Sequence, residues 1–156
     1  MTPATLDHAA IAALIPHRGP MCLLERMTRW STDAIECTAG NHRDPHHPLR
    51  SASGLLASAT IEYAAQAMAL HGALCASADA RPRGPGFLAS ARDVRLACWR
   101  LDDLPPANPD LLIVSAQLQA ADAARILYAF RVRHGGHELA SGRIAVVLDV
   151  ALAGST

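Results

Sequence analysis

The stretch IEYAAQAMALHGALCA, residues 61–76, decides how this chain folds. It predicts a helix with apolar residues on every face rather than along one stripe, so protein should surround this helix on most sides. Glu62 is out of place there, because glutamate is seldom buried without a partner and apolar surroundings favour its neutral acid form. Glu62 is therefore a candidate proton donor. The alternative is a structural hydrogen bond to Gln66, one turn further on.

A histidine-rich loop, His42 to Arg50 with the sequence HRDPHHPLR, precedes this helix. Imidazole titrates near neutral pH, so a histidine close to a carboxylate predicts acid–base chemistry. The hydroxyl of Ser51 or Ser53 would cap the start of the helix. The N–H groups of Gly54 and Leu55 would then point outward unpaired at the positive end of the helix dipole, where they could stabilise an oxyanion.

Two strands are predicted before the long helix and four after it. They span Met21 to Trp30, Ala34 to Thr38, Phe87 to Trp99, Leu111 to Ala120, Arg125 to His134 and Glu138 to Val147. A short helix is expected from Asp7 to Leu14, the prolines and glycines of Arg81 to Gly86 end the long helix, and Gly135-Gly136 fits a primed hairpin turn. The pattern predicts an α+β fold in one domain, residues 1–156, with a six-stranded antiparallel sheet wrapped around one long central helix.

The composition argues against several classes of partner. The chain has 156 residues with 14 Lys plus Arg and 14 Asp plus Glu, so it carries no overall field for nucleic acid or a membrane surface. Residues 52–78 reach membrane-spanning length, but Glu62, Gln66 and His71 interrupt them. The 4 cysteines are scattered, without a C-x-x-C pair or a secretory leader, which is typical of a reduced cytoplasmic protein. No cofactor is predicted.

Three segments resemble one known family, and their order and spacing agree over roughly residues 10–148. PHRGPMCLLERM, residues 16–27, resembles the opening motif of the hotdog-fold 3-hydroxyacyl-ACP dehydratases of fatty acid synthesis. IEYAAQA, residues 61–67, resembles the central helix of those enzymes, and Gly86-Phe87-Leu88 followed by Val94-Arg95 resembles the strand after it.

The loop before the helix departs from the fatty acid enzymes. His47 lies 15 residues before Glu62, one residue farther than the catalytic histidine of those enzymes, and His47-Pro48-Leu49 replaces their proline–glycine rim. This pattern is closer to the ApeP-like branch, the predicted dehydratases of aryl polyene gene clusters.

The resemblance implies a hydro-lyase that converts a 3-hydroxyacyl group, held on the 4'-phosphopantetheine arm of an acyl carrier protein, to the trans-2-enoyl thioester. His47 would remove the C2 proton and Glu62 would protonate the leaving hydroxyl. The resemblance also implies a dimer, with itself or with a related hotdog subunit, in which the histidine and the acid come from opposite subunits. The acyl chain would lie in a tunnel beside the helix, where Ala64, Ala65 and Ala69 leave space.

Several residue assignments stay open at this stage. His46 is a rival base, His17 is either a structural loop histidine or a catalyst, and Gln66 is a secondary candidate for the site. A metal site built from the loop residues is a further alternative, although we expect no metal; its ligands would be His42, Asp44, His46 and His47.

Two alternative functions and one surface also stay open. In a hotdog thioesterase Glu62 would activate water, and in a hotdog heterodimer the chain would be a non-catalytic subunit. An arginine-rich segment would either guide an acidic carrier protein or form a solvated sheet edge; its members are Arg81, Arg83, Arg92, Arg95 and Arg100.

Overall fold

The computed structural model of the chain describes residues 4–79 and 86–148. The helices and strands in these ranges are β1 (Leu6–Asp7), α1 (His8–Leu14), β2 (Arg26–Trp30), β3 (Ala34–Ala39), α2 (Thr60–Asp79), β4 (Gly86–Leu96), β5 (Leu112–Ala121), β6 (Arg125–His134) and β7 (His137–Leu148). Two 3-10 turns, Gly19–Met21 and Ala57–Ala59, precede β2 and α2. The predicted helix break at residues 81–85, with Arg81 and Arg83, lies outside the described residues.

All seven strands belong to one antiparallel sheet in the order β1-β2-β3-β5-β6-β7-β4. Helix α2 packs against β3, β5 and β6, near the middle of that order. The predicted sheet around one long helix is confirmed, but the described residues form seven strands instead of six. The additional strand is β1, whose Leu6 and Asp7 pair with Met27 and Arg26 of β2. The predicted short helix is confirmed as α1, and the Asp7 side chain caps it.

The two sides of α2 have different surroundings. Tyr63, Ala67, Leu70 and Leu74 are buried against the sheet and form the centre of the core. The other side is only half-buried and carries small residues: Ala65, Ala69, Gly72, Ala73 and Ala76. The all-round apolar pattern therefore has two causes, because the sheet covers one side of the helix and the other side lines open space.

Helix α2 begins at Thr60, later than the predicted start at Ser51 or Ser53. The segment before it is extended and pairs with a second extended segment, since the N–H of Leu101 donates to the carbonyl of Leu55 at 2.8 Å. These backbone groups are used between segments and are not available to a helix. Helix formation starts where that pairing stops, and the Thr60 hydroxyl donates to the Ala57 carbonyl at 2.7 Å.

The last hairpin has the predicted turn. Gly135 and Gly136 have φ values of +56° and +80°, so both central residues are left-handed as a primed two-residue turn requires. His134 and His137 form the closing pair of β6 and β7. Residues other than glycine rarely adopt these φ angles, which explains why two glycines occupy the turn.

Strand β4 is an edge of the sheet and pairs with β7. It ends at Leu96 rather than at the predicted Trp99. Its apolar side chains are exposed, with Phe87 at 57% and Leu88 at 48%, and Trp99 beyond its end is 91% exposed. Exposed apolar side chains on an unpaired strand edge mark a surface where a further chain can add. Across the described ranges, no helix has the length and apolar character that crossing a bilayer requires.

Candidate active site

Glu62 lies in the first turn of α2 and contacts the ring of His17. His17 Nε2 is 3.2 Å from Glu62 Oε1, and the two side chains are 24% and 33% exposed. Glu62 is therefore reachable from outside, in contrast to the burial expected from the sequence. Among the described residues, His17 Nδ1 is buried without a hydrogen-bond partner. An unpaired ring nitrogen beside a carboxylate is a feature that packing alone does not explain.

Gln66 holds this pair in place through one buried amide. Its Oε1 accepts from the N–H of Leu23 at 2.8 Å, and its Nε2 donates to the Met21 carbonyl at 2.7 Å and to Glu62 Oε1 at 2.9 Å. The amide therefore ties the segment that follows His17 to helix α2. The structural alternative for Glu62, a bond to Gln66 one turn on, is confirmed. It coexists with the contact to His17.

His17 and Glu62 also line a mainly apolar cavity of about 560 Å³ between α2 and the sheet. Of the three alanines predicted to leave space for an acyl chain, Ala65 and Ala69 line this cavity, whereas Ala64 is fully buried in the core. The other lining residues of α2 are Met68, Gly72, Ala73 and Ala76, and the sheet contributes Gly86, Leu88, Ile126, Tyr128, Ile144, Val146 and Leu148.

His47 has a different environment from His17. It is 4% exposed, and its Nε2 lies 2.9 Å from the Tyr63 hydroxyl. Its Nδ1 accepts from the N–H of Leu49 at 3.1 Å, so Nε2 carries the proton of the neutral ring and donates it to Tyr63. The Tyr63 hydroxyl in turn donates to Asn41 Oδ1 at 2.5 Å. Burial lowers the pKa of His47 and raises that of Tyr63, so both groups stay neutral near pH 7.

His42 joins a cluster with Asp110 and His134 instead of the loop metal site considered above. Its Nε2 lies 3.2 Å from Asp110 Oδ1, and His134 Nε2 lies 2.6 Å from the same oxygen. The ligand atoms of these three residues lie within 4.8 Å of one another, as a metal ion requires. Arg43 Nε also donates to Asp110 at 2.6 Å, and this contact is the main reason that the pKa of Asp110 is low. Arg43 therefore already neutralises the carboxylate, and the cluster connects the histidine-rich loop to the end of β6 and to the segment before β5.

The comparison with known proteins matches residues 9–153 to one family model, ApeP-like: ApeP dehydratase. The chain belongs to the ApeP-like family. Among curated proteins, none matches its sequence. The family assignment agrees with the resemblance drawn from residues 16–27 and 61–67, and it supports a role as a dehydratase.

Solved structures confirm the hotdog fold of this ApeP-like chain. The dehydratase heterocomplex ApeI:P from Xenorhabdus doucetiae matches with a TM-score of 0.77 at 21% identity, over 93% of this chain and 97% of that chain. A mutant of the thioesterase PA1618 from Pseudomonas aeruginosa matches with a TM-score of 0.65 at 12% identity, over 95% of each chain. The thioesterase HI1161 from Haemophilus influenzae matches with a TM-score of 0.64 at 12% identity, over 92% of this chain and 91% of that chain. At these identities the likeness shows the fold alone.

Gly54 and Leu55 of this ApeP-like chain do not have the free N–H groups predicted from the sequence. The N–H of Gly54 donates to the Ser51 carbonyl at 3.0 Å, and the N–H of Leu55 donates to Asp102 Oδ1 at 3.0 Å. The prediction of unpaired donors at a helix start was wrong, because α2 begins at Thr60. The Gly54 backbone still needs a glycine, since its φ is +93°.

The rival base His46 is exposed, and its backbone N–H donates to Asp44 Oδ1 at 2.8 Å. The described residues bring His17, Glu62 and Gln66 together. His47 bonds to Tyr63 instead, and the Tyr63–Asn41 pair meets the Gln66 contacts only at the backbone of Leu23. Sequence reasoning missed the deeper lining of the cavity at Gly72, Ala73 and Ala76. The signal was present in the three- and four-residue spacing of small residues after Glu62, which puts them on one helix face.

Proposed function

We propose that this chain dehydrates a 3-hydroxyacyl group carried by an acyl carrier protein to the trans-2-enoyl thioester, with His17 and Glu62 as its acid–base pair. The observation that carries the proposal is the 3.2 Å contact between His17 and Glu62 beside an apolar cavity. Membership of a dehydratase family supports the reaction class. The mainly apolar lining supports an acyl substrate.

The pair has the groups that the elimination needs. His17 takes the proton from C2, the C2–H electrons form the C2=C3 double bond, and the C3–O bond breaks as Glu62 protonates the leaving hydroxyl to water. These transfers leave His17 protonated and Glu62 ionised. Transfer of the Nε2 proton to Glu62 across their 3.2 Å contact, followed by exchange of the ring protons with water, restores the starting pair for the next substrate. Gln66 keeps Glu62 oriented through its 2.9 Å bond.

His47 remains the other candidate base. The resembled dehydratases use a histidine in the loop before the helix, with the acid supplied by the opposite subunit. In this chain both ring nitrogens of His47 are bonded, to Tyr63 and Leu49, and the side chain is buried. A base must present a free lone pair to the substrate. His17 meets that requirement better, because its side chain lines the cavity and is 24% exposed, whereas His47 is 4% exposed.

A second hotdog subunit is the proposed structural partner, and β4 is the proposed contact. The related ApeI:P structure is a heterocomplex. In this chain the β4 edge exposes Phe87 and Leu88, and Trp99 beyond it is 91% exposed. Leu88 also lines the cavity, so a subunit added at this edge would cover the cavity from that side. Tryptophan is enriched among residues that dominate binding energy at interfaces, and Trp99 is our candidate anchor.

An acyl carrier protein is the proposed donor of the substrate, and exposed arginines are its candidate contacts. Arg18 lines the cavity beside His17 and is exposed. Arg92 and Arg95 are exposed on β4, whereas Arg100 is neutralised by Asp102 at 2.7 Å. An acidic carrier would approach the exposed cations through a salt-dependent attraction.

The test is incubation of the purified chain with 3-hydroxyacyl-ACP, alone and with a candidate hotdog partner, followed by intact-mass spectrometry. Loss of one water from the acyl-ACP supports dehydration, and Glu62→Gln should abolish that loss. Release of free ACP would show a thioesterase instead. Water loss that appears only with the partner, and that survives Glu62→Gln, would make this chain the non-catalytic subunit.

A further inference from the structure

The cavity beside α2 continues far beyond His17 and Glu62. Its lining on the helix runs from Glu62 to Ala76, a separation of about 21 Å along the helix axis. We infer that the cavity takes acyl chains of about fourteen carbons or more and that the missing side chain at Gly72 keeps its far part open. The inference rests on the proposed function, because Glu62 fixes where the reacting carbons lie.

The helix side of the cavity is one continuous face with little side-chain volume. Residues three and four apart share a helix face, and Ala65, Ala69, Gly72 and Ala76 follow that spacing after Glu62. A Cβ added at Gly72 would meet no heavy atom within 4 Å. Gly72 therefore borders open space and is not a glycine required by close packing.

The opposite wall is apolar along its length. Ile126, Ile144 and Val146 line it, and the hydroxyl of Tyr128 is hydrogen-bonded to His71 at 2.8 Å. The charged residues of the lining lie at the His17 end of the cavity. Arg18 follows His17 in the sequence, and Glu62 contacts its ring. A polar end joined to a long apolar wall matches an acyl thioester whose reacting carbons are at one end. Each buried methylene should tighten binding about fourfold.

The distance from Glu62 to Gly72 gives the number of carbons that an acyl chain needs to reach Gly72. It lies 10 residues after Glu62, which is about 15 Å along the helix axis. An extended chain advances about 1.3 Å per carbon, so a substrate with C3 at Glu62 reaches Gly72 at about carbon fourteen. A larger side chain at residue 72 would lean toward the preceding helix turn. Leucine there should therefore obstruct chains longer than about ten carbons.

The experiment measures dissociation constants of 3-hydroxyacyl-ACPs with acyl chains of about six and about fourteen carbons for the full chain, by calorimetry. The unmodified chain should bind the longer substrate at least about ten-thousandfold more tightly, because about eight additional methylenes are buried. Gly72→Leu should reduce that ratio to about 250-fold or less, because only about four of the additional methylenes remain buried. The control is Ala78→Leu, which adds the same side chain to an exposed position of α2 that does not line the cavity. It should retain the ratio of the unmodified chain.

Gly72→Ala protects the test against a folding defect. Its Cβ has open space, so it should fold normally and lower the ratio in the same direction by a smaller amount. Equal binding of both substrates by the unmodified chain, or an unchanged ratio in Gly72→Leu, would overturn the inference. Failure of the proposed function has a different signature, because no water would be lost from either substrate while the length preference in binding persisted.

Discussion

His17 and His47 show how differently two histidines of one fold can be surrounded. His47 is 4% exposed, and both of its ring nitrogens are hydrogen-bonded within the chain. The His17 side chain is 24% exposed, contacts Glu62 and keeps a ring nitrogen without a partner among the described residues. The contacts of His47 are those of a structural histidine, whereas the contacts and exposure of His17 fit the proposed acid–base role. Proximity to the helix in sequence does not distinguish these environments.

The largest expected effect comes from removing the carboxylate. Glu62→Gln keeps an acceptor for the Gln66 amide but has no proton to exchange, so kcat/KM for dehydration should fall by about a hundredfold to ten-thousandfold. The rate is measured in the active assembly, with the partner if one is required. Glu138→Gln is the matched control, since Glu138 is an exposed carboxylate paired with Arg131 at 2.6 Å. A Glu62→Gln rate equal to that of the control would exclude Glu62 as the acid.

Replacing each histidine by alanine tests the comparison directly. His17→Ala should lower kcat/KM by about a hundredfold or more and leave the free energy of unfolding nearly unchanged, because the side chain is partly exposed. His47→Ala should lower the free energy of unfolding by about 2–4 kcal/mol, since it leaves a cavity and a buried Tyr63 hydroxyl with one partner fewer. Urea unfolding and steady-state kinetics measure both. A stable but inactive His47→Ala, beside a fully active His17→Ala, would restore His47 as the base.

Gln66→Leu should affect stability and activity together. It leaves the buried N–H of Leu23 and the carbonyl of Met21 without their side-chain partner, at a cost of about 2–3 kcal/mol in unfolding free energy. It also frees Glu62, so kcat should fall more than KM rises. Gln119→Leu on the exposed part of β5 is the control and should change neither quantity. Normal stability of Gln66→Leu would contradict the role of this amide as a tie between the loop and α2.

The smallest expected effect is a decrease in the free energy of unfolding at acid pH, caused by the buried histidines. Burial lowers the pKa of His42 and His47 below 6.5 in the folded chain, so the unfolded chain binds protons first as the pH falls. The free energy of unfolding should therefore decrease below about pH 6.5, by at most about 1.4 kcal/mol per pH unit for each histidine. His47→Asn should have a shallower decrease than the exposed His46→Asn control, and equal slopes would contradict the assignment.

A second decrease should follow at lower pH, from carboxylates. Hydrogen bonds from Arg100 and Arg43 hold the pKa of Asp102 and Asp110 far below the usual range. The unfolded chain protonates these groups first, so their stabilisation is present above about pH 4 and is lost as the pH falls further. Because the two decreases in the free energy of unfolding occur at different pH, one titration distinguishes the contribution of the histidines from that of the carboxylates.

The fold could be predicted because its signals are local. The apolar stretch from residue 61 predicts the long helix, and Gly135-Gly136 predicts a primed turn; both are confirmed, but the sheet covers only one side of the helix. The start of α2 could not be predicted from Ser51 and Ser53, because the deciding bonds join Leu55 to Leu101, far away in sequence. Strand β1 was missed because two residues carry no periodic pattern.

The site was predicted only in part, because some of its signals are local and others depend on contacts between distant residues. Glu62 is conspicuous in an apolar helix, and Gln66 lies one turn from it, so both stand out in the sequence. The contact of His17 with Glu62 joins residues 45 positions apart and depends on how Gln66 docks the intervening loop. Likewise, nothing local shows that the His47 ring meets Tyr63. Whether a ring nitrogen has a hydrogen-bond partner depends on tertiary contacts, and the spacing of residues in the sequence does not show it.

The pairing of β4 with β7 also has a consequence for the order in which the protein is made. Gly86 of β4 pairs with Leu148 of β7, the last described strand, so β4 leaves the ribosome long before its partner exists. Until then Phe87 and Leu88 face water on a strand without neighbours. The cavity wall that contains Leu88 and Val146 is completed only when synthesis reaches β7, so the newborn chain acquires this cavity only after its last described strand has been made.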